Sequence, residues 1–288
     1  MDISKYLKTN AKLIDDNLDK YLPPEDEYPD IIHKAMRYSV INGGKRIRPI
    51  LCLAACETVG GKKEDALMVA CAIELIHAYS LIHDDLPAMD NDDFRRGKPS
   101  CHKRYGEAIA ILTGDALLTH AFYLISKGKN PEKNNKVLEE IAYAISTFGM
   151  IGGQVVDMLS ENKPLEAPVL QYIHTHKTGA LICASVKAGC ILGGGGEKEL
   201  DILTKYGELI GLAFQIVDDI IEIEGEKGKM RNSDLEKSKL TYPAVYGIAE
   251  SKQRASQLIT KAINLLDEFG GKNTSLYQLA EFIGNRGY

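Results

Sequence analysis

Apolar residues recur at helical spacing from one end of the chain to the other, and alternating β-branched runs bounded by Asn-Gly turns are nearly absent. A chain patterned this way buries its apolar stripes by packing helix on helix, so an all-α fold is expected. The stretch from Asp201 to Ile223 shows the logic. Ile202, Tyr206, Leu209, Ile210, Ala213, Ile216, Val217 and Ile220 form one wide apolar stripe, and Gly225 ends the pattern. Helices are expected over 3–20, 30–42, 48–58, 64–86, 107–127, 132–160, 168–192, 198–223, 241–249, 253–269 and 275–284. Pro49, Pro131 and Pro168 stand at segment starts, where a missing N–H costs nothing. No run of Pro, Gly, Ser or charge divides the 288 residues, so residues 1–288 read as a single domain, a large helical bundle around a central cavity.

Two groups of acids interrupt this apolar pattern. Asp84 and Asp85 are followed by Asp90, Asp92 and Asp93, and Asp218 and Asp219 are followed by Glu222. Like charges this close repel and raise each other's pKa unless cations sit among them. Carboxylate oxygens completed by water and phosphate oxygens are the usual setting of Mg²⁺, so the acids point to a divalent ion and a diphosphate. In the second group Gln215, Asp218, Asp219 and Glu222 fall at i, i+3, i+4 and i+7 and share a helix face. A solvated acidic helix end is disfavoured, because the pair follows Phe-Gln-Ile-Val and precedes Ile-Ile, where uncompensated charge is costly. In the first group Pro87 breaks the helix, which lets Asp90 return beside Asp84. An EF-hand is excluded, since counting from Asp92 places Phe94 and Arg96 at the third and fifth positions.

Basic residues complement these acids. Gly43-Gly44-Lys45-Arg46-Ile47-Arg48-Pro49 is a glycine break followed by three cations, and Arg95-Arg96-Gly97 follows the first acids. Guanidinium groups suit bidentate phosphate contact. His77 lies two turns before Asp84 on the same helix face. His174, Lys177 and Thr178 fall at i, i+3 and i+4, and Gln154 with Asp157 forms a polar pair in apolar surroundings. Tyr79 sits five residues before Asp84, about 7.5 Å deeper along the helix axis, where its ring would make a floor to a cavity.

The bulk properties narrow the function classes. The net charge is −5 with scattered basic residues, so nucleic-acid binding has no support. Six cysteines lie mostly among Ala, Leu and Ile without a C-x-x-C pair, which reads as buried reduced thiols. The opening MDISKYLKTN has no apolar h-region and no run of about 18 apolar residues is apparent, so neither export nor a membrane span is expected and a cytoplasmic location is.

The motifs GGKRIRP (43–49), HAYSLIHDDLPAMDNDDFRRGKP (77–99), GGQVVD (152–157), HTHKT (174–178), FQIVDDIIE (214–222) and KLTYP (239–243) together resemble the trans-isoprenyl diphosphate synthases, in particular the bacterial farnesyl diphosphate synthase type. The resemblance covers roughly residues 35–245. It implies a homodimer of all-helical chains that joins isopentenyl diphosphate to an allylic diphosphate. Carried over by position, Asp84 and Asp90 would ligate two Mg²⁺ ions and Asp218 a third, with Glu222 closing the second motif and Asp85 and Asp219 in support. Lys45, Arg48, His77 and Arg96 match the isopentenyl diphosphate pocket. Arg95, Lys177, Thr178, Gln215, Lys229 and Lys239 match the allylic side, where the Thr178 hydroxyl, Lys177 carbonyl and Gln215 amide would face an allylic cation. Family members with the Tyr79-Ser80 pair and the two-residue spacer before Asp90 make a fifteen-carbon product. Glu222 departs from the usual Asp, and the loop from Gly225 to Asp234 is short for the placement of Lys229. A geranylgeranyl or mixed-length synthase is the alternative within the family. A terpene cyclase is expected to have a single such motif and more cavity aromatics than a chain without Trp. A non-catalytic partner subunit is expected to have lost aspartates that are intact here.

Overall fold

The computed structural model describes residues 2–41, 43–161, 163, 166–225 and 241–286. Lys229 and Lys239 lie outside them. The chain forms helices α1 (Ile3–Tyr21), α2 (Asp30–Ile41), α3 (Ile47–Thr58), α4 (Lys63–Asp84), α5 (Cys101–Tyr105), α6 (Glu107–Ser126), α7 (Pro131–Ile145), α8 (Met150–Ser160), α9 (Ala167–Ile173), α10 (Ala180–Gly193), α11 (Glu197–Glu224), α12 (Tyr242–Tyr246), α13 (Ile248–Asn264) and α14 (Ser275–Asn285). Between α9 and α10 one turn, His174–Gly179, is a π-helix. The described residues contain one small sheet, an antiparallel hairpin of β1 (Phe94–Arg95) and β2 (Lys98–Pro99).

The all-α expectation holds, and most helix ends fall within a residue or two of their periodic patterns. Two departures have local causes. The pattern over 132–160 divides into α7 and α8, because Gly149 carries the chain through a sharp turn at Ser146–Gly149. The hairpin rests on Arg96 and Gly97, both with positive φ (52° and 77°), the conformation a two-residue turn between twisted strands demands.

Helix α4 is the axis of the main core. Ile73, Leu75 and Ile76 are wholly buried, and α4 packs against α3 and α6, while α10 packs against α3, α7 and α11. Burying side chains of this size stabilises by about 1.5–3 kcal/mol each. By length and composition alone, α4 and α6 are apolar enough to cross a membrane, which corrects the expectation that no such segment exists. The reason is that the few charges interrupt the apolar run yet leave its mean hydropathy at 1.6. Of its most apolar window, 72% of α4 is buried inside the fold, against 39% for α6. All six cysteines are free thiols.

Candidate active site

Helix α4 ends at Asp84 because Pro87 cannot continue it, and the chain folds back so that the Asp90 N–H donates to the Asp84 carbonyl at 2.8 Å. The two neighbouring carboxylates then diverge. Asp84 accepts from Gln154 Nε2 at 2.6 Å and lies 3.6 Å from Lys177 Nζ. Asp85, 2% exposed, is gripped by Arg95 through Nε at 2.9 Å and through Nη2. Burial raises the Asp85 carboxyl above its ordinary range, and the Arg95 contact opposes this. Arg95 also reaches Asp92 at 3.2 Å.

The π-turn joins this corner to α11. A π-turn is wound wider than an α-turn, so adjacent side chains separate differently around the axis. Lys177 points toward the first acids, 2.7 Å from Asp157 on α8, while Thr178 donates its hydroxyl to Gln215 Oε1 on α11 at 2.8 Å. Burial alone would lower the Lys177 pKa, but Asp84 and Asp157 outweigh it and hold it raised. The turn is clamped by glycines: a Cβ on Gly153 would collide with the Lys177 backbone, and one on Gly211 would meet Gly179 Cα at 2.8 Å.

On α11 the second pair also diverges. Asp218 accepts from Arg286 Nη2 at 2.8 Å, near the end of α14. Burial raises its carboxyl pKa, opposed by Arg286, Lys45 and Arg48. Asp219, 3% exposed, accepts from Gln215 Nε2 and from the Tyr242 backbone N–H, each at 2.8 Å, and lies 3.3 Å from His174 Nε2. Glu222 lies exposed near the C-terminal end of α11.

A second set of cations gathers around Asp218. Arg48 feels Asp218 and Arg96, Lys45 feels Arg286 and Asp218, and His77 is surrounded by Arg48, Arg96, Arg46 and Arg95. Burial and then these guanidiniums push the His77 imidazole well below its ordinary value, and burial lowers Lys45 and Arg48 as well. The hairpin turn sends Arg96 away from Arg95, to the Gly43 carbonyl, where its guanidinium lies so close to Gly44 that a Cβ there would meet it at 2.8 Å. Arg46, within the same motif, instead bonds Glu74 Oε1 at 2.6 Å and Asp15 at 2.8 Å, a buried structural contact.

Thus Asp84, Asp85, Asp90, Arg95, Lys177, Thr178, Gln215 and Asp219 form one linked network, and Lys45, Arg48, His77, Arg96 and Asp218 form a cationic lobe. Tyr79, 6% exposed, packs edge-on to His83 with ring centroids 5.8 Å apart. Arg286 carries no local signal in the sequence, because its partner is 68 positions away. Gln154 and Asp157 were signalled by their apolar context, but their partners were not. A groove of about 860 Å³ lies elsewhere, against the Thr175, His176 and Gly179 side of the π-turn, and no aspartate of either motif lines it.

Among the described residues no three His, Cys, Asp or Glu side chains close into a ready-made metal cage. The donors are nevertheless hard carboxylate oxygens already set against cationic and amide groups, and Mg²⁺ commonly takes one or two carboxylates and completes its shell with water and phosphate. The donor set fits such an ion.

An all-α bundle in which two aspartate pairs and a ring of cations meet across a helical turn defines the class of helical isoprenoid synthases. The polyprenyl synthetase family model matches residues 29–278, and the chain belongs to that family. It is 46% identical over 288 residues to a geranylgeranyl diphosphate synthase of Cyanophora paradoxa, covering 98% of this chain and 95% of the relative. It is 45% identical to the large subunit 1 of a heterodimeric geranylgeranyl pyrophosphate synthase of Arabidopsis thaliana, covering 99% and 80%. Among solved structures, an apo FPP/GFPP synthase from Zymomonas mobilis superposes with a TM-score of 0.88 at 36% identity, covering 98% of each chain. A Helicobacter pylori geranyltransferase complexed with magnesium and isoprenyl diphosphate superposes with a TM-score of 0.85 at 31% identity, covering 99% of this chain and 97% of that one.

Proposed function

We propose that this prenyltransferase makes farnesyl diphosphate from isopentenyl diphosphate and dimethylallyl or geranyl diphosphate, with residues 1–288 as one synthase domain in a homodimer. The observation that carries the reaction class is that adjacent residues of the π-turn serve both acidic motifs, Lys177 lying against Asp84 and Thr178 bonded through Gln215 to Asp219. Mg²⁺, about three ions per site held by Asp84, Asp90, Asp218 and Glu222, would supply Lewis-acid neutralisation of the leaving diphosphate.

The chain's own groups do the rest. Lys177 and Arg95 hold the allylic diphosphate as its C–O bond breaks. Lys45, Arg48, His77 and Arg96 hold isopentenyl diphosphate with its double bond toward the allylic carbon. Charge develops where fixed donors already point, so little reorganisation is needed at the moment of reaction. The isopentenyl π-electrons form the new C–C bond to the allylic cation, and the proton lost from the adjacent carbon passes to the departed diphosphate. Apolar helix faces around the site exclude water from the cation.

Tyr79 supports the fifteen-carbon length: a buried ring on α4, five residues before Asp84, with a hydroxyl that has no hydrogen-bond partner, acts as a floor. The names of the similar relatives favour geranylgeranyl diphosphate as the second reading. Purified protein incubated with Mg²⁺, labelled isopentenyl diphosphate and either starter separates these outcomes after the products are dephosphorylated and sized. A fifteen-carbon alcohol from both starters, lengthening in Tyr79→Ala, is the expected result. A twenty-carbon product from the wild type overturns the floor, and no magnesium-dependent product overturns the synthase reading.

A further inference from the structure

Both Asp219 oxygens accept from nitrogen donors of the chain. The Gln215 amide donates through its NH₂ to Asp219 Oδ1 at 2.8 Å. The Gln215 oxygen is thereby forced toward Thr178, and at 2.8 Å from that oxygen the Thr178 hydroxyl must donate. Its hydrogen is then consumed, and only lone pairs remain for whatever lies in front of it. Asp219 cannot rotate out of this arrangement, because its other oxygen is pinned at 2.8 Å by the Tyr242 backbone N–H, which has no alternative polarity. His174 Nε2 lies 3.3 Å from the same oxygen and Nδ1 is buried without a partner, which fits a ring carrying its proton on Nε2.

We propose that Asp219 is a positioning residue that orients the Thr178 hydroxyl through Gln215, so that the oxygen's negative end faces the allylic carbon. Its neighbour differs in this respect: Asp218 meets Arg286 with its side chain 36% exposed, whereas Asp219 is buried between Gln215 and the Tyr242 N–H. The inference rests on the prenyl-transfer reading, since only a developing cation benefits from that orientation.

Asp219→Asn is the sharp test, because it keeps the shape and reverses the polarity. The amide introduced there must give its oxygen to the Tyr242 N–H, so its NH₂ faces Gln215, Gln215 turns over, and the Thr178 hydrogen points outward. The expected result is a fall of about thirtyfold or more in kcat, with KM for both substrates and the Mg²⁺ half-saturation within about twofold of wild type. Thr178→Val should abolish the sensitivity: the double variant should be no slower than Thr178→Val alone, the non-additivity of residues acting as one unit. An unchanged kcat, additive effects, or a Mg²⁺ half-saturation displaced as in Asp218→Asn overturns the proposal while the synthase reading stands. A wild-type protein that makes no prenyl product overturns both. If Asp219→Asn does not fold, neutron diffraction of the wild-type protein decides: deuterium between Thr178 and Gln215 supports the relay, and deuterium on the far side of the hydroxyl refutes it.

Discussion

Asp84 and Asp218 each have a neighbour of identical chemistry and opposite environment. Successive residues on a helix are turned by about 100°, so a pair cannot share one task. Asp85 and Asp219 are buried, held by Arg95 and by Gln215 with the Tyr242 N–H, while Asp84 and Asp218 meet Lys177, Gln154 and Arg286. The helical spacing of Gln215, Asp218, Asp219 and Glu222 was legible in the sequence, but which donors Asp218 and Asp219 each meet was not. That depends on α12, on α14 and on the π-turn. His77 yields a test at this scale. Its folded pKa lies well below the ordinary value, so on acidification the unfolded chain binds a proton that the folded one does not. Stability from this group is therefore present above about pH 6.5 and falls below it, by at most about 1.4 kcal/mol per pH unit. Urea midpoints of wild type should drop between pH 7 and 5, and His77→Gln should drop less. Equal slopes would show that the imidazole takes up its proton in the folded state.

The element that organises the site is the π-turn His174–Gly179. From sequence, His174, Lys177 and Thr178 share a face of an α-helix at i, i+3 and i+4. The wider winding instead sends Lys177 to α8 and Asp84, and Thr178 to α11. No periodicity of apolar residues reports a single widened turn, because one turn is too short to shift the stripe. The clamp by Gly153 and Gly211 is visible only once α8 and α11 are seen pressed on either side. Gly153→Ala should push α8 off the turn, lower stability by about 1–3 kcal/mol as overpacking does, and reduce turnover more than tenfold with helical content retained. Activity near wild type would mean that the turn tolerates displacement. The hairpin has the same character: its two-residue turn places Arg95 and Arg96 on different targets, and its only signal is Arg96-Gly97.

Most of the large exposed apolar side chains among the described residues fall between Ile111 and Leu159, on α6, α7, α8 and the turn before α8, with Leu112 at 55%, Phe148 at 68% and Leu159 at 63% exposure. A contiguous apolar patch would be suited to association. If it is the homodimer contact, sedimentation at micromolar concentration should give twice the 31.7 kDa chain mass, and Leu112→Glu with Leu159→Glu should give a monomer of unchanged helical circular dichroism. A dimer that survives both substitutions would place the contact elsewhere.

By itself the sequence determined the all-α class, the approximate ends of most helices, the break at Pro87 and the two sets of acids with their basic counterparts. These follow from local chemistry: periodicity, proline's missing donor, and the cost of crowded charge in an apolar run. The tertiary structure alone decided which carboxylate of each pair is enclosed, where the helix after Ile173 widens, that Arg286 meets Asp218, and that Gly153 and Gly211 grip Lys177 and its neighbours. Those facts depend on contacts between residues far apart in the chain, and no local pattern of side chains encodes them.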